Sequence, residues 1–145
     1  MRALVQRVTS ASVSVAEEVT GSIGPGLCVF VGVTHSDDVE VARRLADRLW
    51  HLRIFPDEDG RTNRSAADLD LPVLVVSQFT LYADTSRGRR PSFLEAAAPE
   101  QAEGLVDEVV GALRGLGGEV STGRFRAAMR VRLENDGPFT ILLET

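Results

Sequence analysis

The sequence predicts an α/β or α+β domain with a mixed, strongly curved sheet and two main helices. Three observations predict it. The opening strands follow one another without an intervening helix, two stretches repeat apolar residues at helical spacing, and ~7–8 short segments carry strand patterning. An all-parallel dinucleotide-binding arrangement is disfavoured, because it would alternate strand and helix from the start. No glycine-rich phosphate loop is present either. Gly24-Pro25-Gly26 has the wrong spacing, and its proline removes a needed N–H.

Residues 2–8 and 11–16 alternate or run apolar and read as two strands, or as one long bent strand. Glu17-Glu18 turns the chain, Val19 to Ile23 returns, Gly24-Pro25-Gly26 breaks, and Leu27 to Val33 forms a strongly apolar strand. A first helix follows, capped by Ser36 or Asp37. Glu40 stands three residues after Asp37, the spacing of a capping box. Val41, Leu45, Leu49 and Leu52 make its apolar face, with Arg43, Arg44, Asp47 and Arg48 largely opposite. Arg53 to Phe55 is a short strand ended by Pro56, and Asp57-Glu58-Asp59-Gly60 a turn. A second helix begins near Pro99, and Gly117-Gly118 stops it. Met129, Val131 and Leu133 alternate with charged residues as a half-buried strand. Phe139 to Leu143 is the last strand.

Length and composition bound the function. A chain of 145 residues most simply makes one domain, residues 1–145, around one core. The 43% hydrophobic and 26% charged content is ordinary for a soluble globule, and no apolar run approaches a membrane span. The start becomes polar too soon for a secretory signal. The single cysteine, Cys28, sits in an apolar run and reads as a core thiol; together these features predict a cytoplasmic protein. A net charge of −5 disfavours broad binding to nucleic acid. It leaves room for a local basic patch, and Arg87-Gly88-Arg89-Arg90 is one, readable equally as a solvated loop.

The chemistry-bearing candidates are few. Leu71 to Leu81 reads as a buried strand that delivers Ser77, Gln78 and Thr80 at its end, where α/β sheets commonly hold ligands. Alternation would put Gln78 and Thr80 on one face, and Ser77 and Phe79 on the other. Thr80 is a weak nucleophile without a base, and its residue type favours a plain β-former over a nucleophile. His35 and His51 are the only histidines and lack nearby partners for a zinc set or a catalytic triad. Asn135-Asp136-Gly137-Pro138 carries a strong hairpin signal. Its proline also admits a cis bond that would turn two carbonyl oxygens outward. Arg89-Arg90-Pro91-Ser92-Phe93 reads as a basic loop or as a holder of phosphate or a sugar edge.

Five motifs in register complete the reading: Met1 to Val8, Ser77-Gln78-Phe79-Thr80-Leu81, Arg90-Pro91-Ser92-Phe93, Thr122-Gly123-Arg124-Phe125 and Asn135-Asp136-Gly137-Pro138-Phe139-Thr140. In this order they resemble the D-aminoacyl-tRNA deacylases, and the resemblance covers essentially the whole chain. It implies a barrel-like, three-layer α/β/β single domain that works as a homodimer with sites at the subunit interface. The implied activity is hydrolysis of the ester joining a D-amino acid, or glycine, to the terminal adenosine of tRNA, without metal or organic cofactor and aided by the 2′-hydroxyl. Ser77, Gln78, Phe79 and Thr80 would form the catalytic wall, with N–H groups near Phe79 and Thr80 as an oxyanion hole. Phe125 and Met129 would lie against adenine. Gly137-Pro138 would reach across the interface as a cis Gly-Pro filter that rejects L-substrates, braced by Arg7. A nucleic-acid-binding module without catalysis, motivated by Arg87, Arg89 and Arg90, is a second reading. A dimeric interaction protein with a merely structural Gly-Pro turn is a third.

Overall fold

The computed structural model describes residues Met1–Thr145. The elements run β1 (Arg2–Val15), β2 (Glu18–Ile23), β3 (Gly26–Gly32), α1 (Val39–Trp50), β4 (Phe55–Pro56), β5 (Thr62–Arg64), α2 (Ala66–Leu69), β6 (Val73–Ser77), α3 (Pro99–Gly115), β7 (Val120–Thr122) and β8 (Met129–Glu144). A 3₁₀ turn, Phe79–Tyr82, lies between β6 and α3. The main sheet has the order β2-β1-β3-β6-β7, with β8 on the other side of β1. It is mixed: β3, β6 and β7 run parallel, and β1 pairs antiparallel with β2, β3 and β8.

β1 is one continuous strand, and it serves two cores. Val8 pairs with Asn135 and Ser10 with Glu134, so Thr9 is an extra residue on β1. An extra residue inverts which face the following side chains occupy. Ala3 and Val5 therefore join the larger core beneath the helices, whereas Ala11 and Val13 join a smaller one with Val8, Ile23, Cys28, Leu74 and Val76. β3 and β6 lie between the two cores and are apolar on both faces, as central parallel strands must be. Leu27, Val29, Val73 and Val75 point to the helices, and Cys28 and Leu74 to the smaller core. The sheet curls until β2 meets β7. There Ser121 Oγ donates to the Ser22 carbonyl at 3.1 Å, and Gly21 leaves no room for a side chain against Thr122. The result is a nearly closed barrel-like sheet covered on one side by helices.

α1 and α3 supply the outer layer. α1 buries Ala42, Leu45, Ala46, Leu49 and Trp50; α3 buries Leu105, Val106, Val109, Val110 and Leu113. An Arg43–Glu108 ion pair at 2.6 Å joins them on the solvent side. The N-cap of α1 is Asp38, whose side chain accepts from Val41 N, and not Ser36 or Asp37. Asp37 is occupied elsewhere. It accepts from the Met1 amino group at 2.6 Å and from Thr34 N at 2.7 Å, both held out of solvent.

Three further expectations are corrected. Residues 135–138 do not turn a hairpin between two strands. β8 runs through them and stays on β1: Gln6 pairs with Thr140 and Val8 with Asn135, so Asp136 to Phe139 bulge out opposite Arg7 alone. The strand expected to reach Leu81 ends at Ser77, after which the chain coils into the 3₁₀ turn. β5, β7 and the one-turn α2 are additions; α2 closes with a Ser65–Asp68 capping box too short to leave a periodic pattern.

Two outcomes follow. An alanine Cβ at Gly21 would sit 2.6 Å from the Thr122 carbonyl oxygen, which is backbone and cannot swing aside. Gly21→Ala is expected to cost about 1–3 kcal/mol in urea unfolding by forcing β2 off β7. Burial pushes the Cys28 thiol up from 9.0 to about 12. Its folded pKa is the higher one, so its contribution to stability is complete below pH 9 and is lost as pH rises from 9 toward 12. Between pH 9 and 11 the urea midpoint of the wild type should fall faster than that of Cys28→Ala.

Candidate active site

A cavity of about 810 Å³ opens at the carboxyl ends of the parallel pair β3 and β6. This is where an α/β sheet leaves strand ends uncovered. Val31 from the end of β3 and Val76, Ser77, Gln78 and Phe79 from the end of β6 and the turn after it line it. Phe125 and Met129, at the entry to β8, line it too. A strap joining the 3₁₀ turn to α3, residues 83–98, forms the mouth with Phe93 and Leu94. Most of the lining is apolar, so the few polar groups that face inward set orientation.

The last bond of the β3–β6 ladder runs from Gln78 N to the Val31 carbonyl at 2.7 Å, one residue past the strand. The 3₁₀ turn then starts at Phe79. The first N–H groups of such a turn have no carbonyl of their own turn to bond, so those of Phe79 and Thr80 stand at its open end. Gln78 and Thr80 do meet, but through the turn and not along a strand face: the Gln78 side-chain amide donates to Thr80 Oγ1. No histidine or carboxylate hydrogen-bonds to the Thr80 or Ser77 hydroxyl, so neither has the base that activates a nucleophile. Phe79 is 57% exposed and meets Phe93 edge-on, with ring centroids 5.1 Å apart.

Of the residues singled out from the sequence, Ser77, Gln78, Phe79, Phe125 and Met129 line this one cavity, and Thr80 follows Phe79 in the 3₁₀ turn without lining it. Arg7, Gly137 and Pro138 lie elsewhere. Gly137 and Pro138 are exposed on the bulge of β8, and the bond between them is cis. Arg7 is almost fully buried beneath them. Its Nε donates to the Asp136 carbonyl at 3.2 Å and pairs with Asp136 Oδ2 at 2.8 Å, and Nη1 donates to the Ile54 carbonyl at 2.6 Å. Its guanidinium lies 4.2 Å from the centre of the Phe139 ring. Asn135 Nδ2 donates to both the Arg7 and the Phe139 carbonyls, closing the base of the bulge. The bulge is thus framed by two side chains, Arg7 and Asn135, that end in hydrogen bonds.

Sequence reasoning missed His35, Leu94 and the strap that ties them. His35 lines the cavity, and its Nε2 lies 2.7 Å from the Leu94 carbonyl. Thr34 Oγ1 donates to the Glu95 carbonyl at 2.6 Å, and Ala97 N to the Val33 carbonyl at 3.0 Å. The signal was there as Arg-Pro-Ser-Phe followed by alanines, but nothing in it said that the loop folds back over β3.

A domain of this class, with a curved mixed sheet backed by helices and an apolar cavity at its strand ends, has known relatives. A protein-family profile described as D-Tyr-tRNA(Tyr) deacylase matches residues 4–144. The D-aminoacyl-tRNA deacylase of Roseiflexus sp. (strain RS-1) is 60% identical over 145 residues, covering 100% of this chain and 94% of that one. That of Mycobacterium avium (strain 104) is 60% identical over 147 residues, covering 99% of each. Among solved structures, the c-Myc DNA Unwinding Element Binding Protein superposes with TM-score 0.93 at 39% identity, over 100% of this chain and 99% of that one. A structure described as a probable eukaryotic D-amino acid tRNA deacylase, at 18% identity, shares the fold with TM-score 0.86 over 98% of this chain and 97% of that one. The chain belongs to the D-aminoacyl-tRNA deacylase family and is a hydrolase of that class.

Because Thr80 Oγ1 has an amide and no base beside it, Thr80→Ala should keep D-tyrosyl-tRNA turnover within about threefold of the wild type. Removal of a true nucleophile costs orders of magnitude, and a loss of that size in single-turnover release of D-tyrosine would assign the hydroxyl a covalent role.

Proposed function

We propose that this protein releases D-amino acids, and glycine, from the terminal adenosine of tRNA and spares L-aminoacyl esters. The observation that carries the reading is the mostly apolar cavity that Ser77, Gln78, Phe79, Phe125 and Met129 line together. Phe125 and Met129 would lie against the adenine, with the ester carbonyl directed to the opening of the 3₁₀ turn. The N–H groups of Phe79 and Thr80 would there hold the oxyanion of the tetrahedral intermediate. With no side-chain base on Ser77 or Thr80, the neighbouring 2′-hydroxyl of the ribose is the group placed to assist the attacking water. The editing role points to a cytoplasmic protein.

Discrimination between mirror images needs a rigid surface, and the rigid surface of this chain is the framed bulge of β8. It stands outside the cavity of its own chain. We therefore assign it to a second copy: Gly137 and Pro138 of the partner subunit would present their carbonyl oxygens to the substrate's α-amino group. An L-side chain would then meet main chain, a D-side chain would point away, and glycine would pass, which is selection by exclusion. The outer sheet face supports a homodimer. Leu4 pairs with Leu142 on one side and Phe30 on the other, and Leu142 is 52% exposed in a single chain.

The deciding measurement offers D-tyrosyl-tRNA and L-tyrosyl-tRNA to the purified protein. Release from the D form alone is expected, and equal release or none from the D form rejects the activity. Light scattering should give twice the 15.7 kDa chain mass; a monomer that retained chiral selection would reject the cross-subunit filter.

A further inference from the structure

The strap at the cavity carries three neighbouring cations without a partner. All sixteen basic side chains are arginines. Arg2, Arg7, Arg43, Arg61, Arg64, Arg124 and Arg126 each pair with a carboxylate. Arg87, Arg89 and Arg90 are exposed and make neither an ion pair nor a hydrogen bond. They share a tip closed at its neck by reciprocal hydrogen bonds between Asp84 and Ser92 at 2.8 and 2.9 Å. Three residues after Arg90 comes Phe93, which lines the cavity. Consecutive Cα atoms are 3.8 Å apart, so Arg90 stands within about 11 Å of chain from Phe93, Arg89 within about 15 Å and Arg87 within about 23 Å. At that mouth Phe79 and Phe93 offer aromatic surface, and Leu94 is 82% exposed.

Three free guanidinium groups beside an exposed aromatic pair are the chemistry of a single-stranded nucleic-acid site: cations for phosphates, rings for bases. We propose that the strap seats the unpaired nucleotides that precede the terminal adenosine, with their phosphates on Arg87, Arg89 and Arg90 and a base against Phe79 and Phe93. The inference rests on the adenosine-ester reading of the cavity and adds what the cavity lacks, a charged track for the strand leaving it. Arg44 on α1 and Arg130 and Arg132 on β8 are the other exposed guanidinium groups without a partner, but with a net charge of −5 only the strap gathers three of them within four residues.

The test compares D-tyrosyl-tRNA with D-tyrosyl-adenosine, the same ester without the preceding nucleotides. Both are offered to the wild type and to a triple variant carrying Arg87→Ala, Arg89→Ala and Arg90→Ala. Each phosphate contact on a single strand contributes about 0.7 to the log–log salt slope, so three contribute about 2. Between 50 and 200 mM salt the wild-type KM for the tRNA ester should therefore rise about twentyfold more than that of the triple variant. Turnover of the adenosine ester should be the same in both proteins. Equal salt dependence on the tRNA ester, or equal losses on both esters, overturns the proposal. Filter binding of uncharged tRNA reads the same salt slope without cleavage. Should the wild type cleave neither ester, the hydrolase reading falls, and the binding slope alone then upholds or rejects the strap.

Discussion

A fourteen-residue strand can serve two cores only if its side-chain alternation inverts partway, and β1 does this at Thr9. Before that residue its odd positions pack under the helices; after it they pack inside the curled half of the sheet. Without the inversion, either Ala3 and Val5 or Ala11 and Val13 would face the wrong side. The sheet would then open flat, and β2 would not reach β7. The same irregular zone carries the second departure from regular pairing, where Asp136 to Phe139 bulge opposite Arg7. Curvature and bulge are thus consequences of how one pair of long strands, β1 and β8, goes out of step and recovers.

Arg7 shows how the irregular zone is kept rigid. A guanidinium this buried is costly unless its donors are matched. Here Nε meets Asp136, Nη1 meets the Ile54 carbonyl, and the flat face lies on Phe139. The bulge therefore cannot shift without stranding a buried charge. The cavity is held differently. β-branched Val31 and Val76 line it from strands packed on both faces, while its mouth is a strap fixed to the β3–α1 loop by Thr34 and His35. One side of the molecule offers a stiff projection and the other an apolar recess, and neither occupies the other in a single chain.

Much of this was legible in the sequence, for identifiable reasons. β3, β6, α1 and α3 left strong periodic or continuous apolar patterns, and Pro99 and Gly117 marked the ends of α3. What misled was local signal overruled by tertiary pairing. Asp136-Gly137 is hairpin chemistry, but β1 is long enough to hold both flanks, so the dipeptide tips a bulge instead. Phe79 and Leu81 extend an apolar run, but the ladder ends first, with the bond from Gln78 N to Val31. Asp37 has the spacing of a cap, but the buried Met1 amino group and Thr34 N claim its carboxylate, and Asp38 caps instead. The motif residues around the cavity come from β6, the strap and β8. Only an ordered set of motifs, and no single spacing, could gather them from one dimension.

The exclusive use of arginine has a chemical consequence at this site. An aminoacyl ester is an activated acyl group, and primary amines are what such groups acylate. A guanidinium holds its proton at any physiological pH and offers no free lone pair. No lysine stands anywhere in the chain, and the Met1 amine is sealed against Asp37. A surface of this composition can dwell beside a reactive ester without itself becoming aminoacylated.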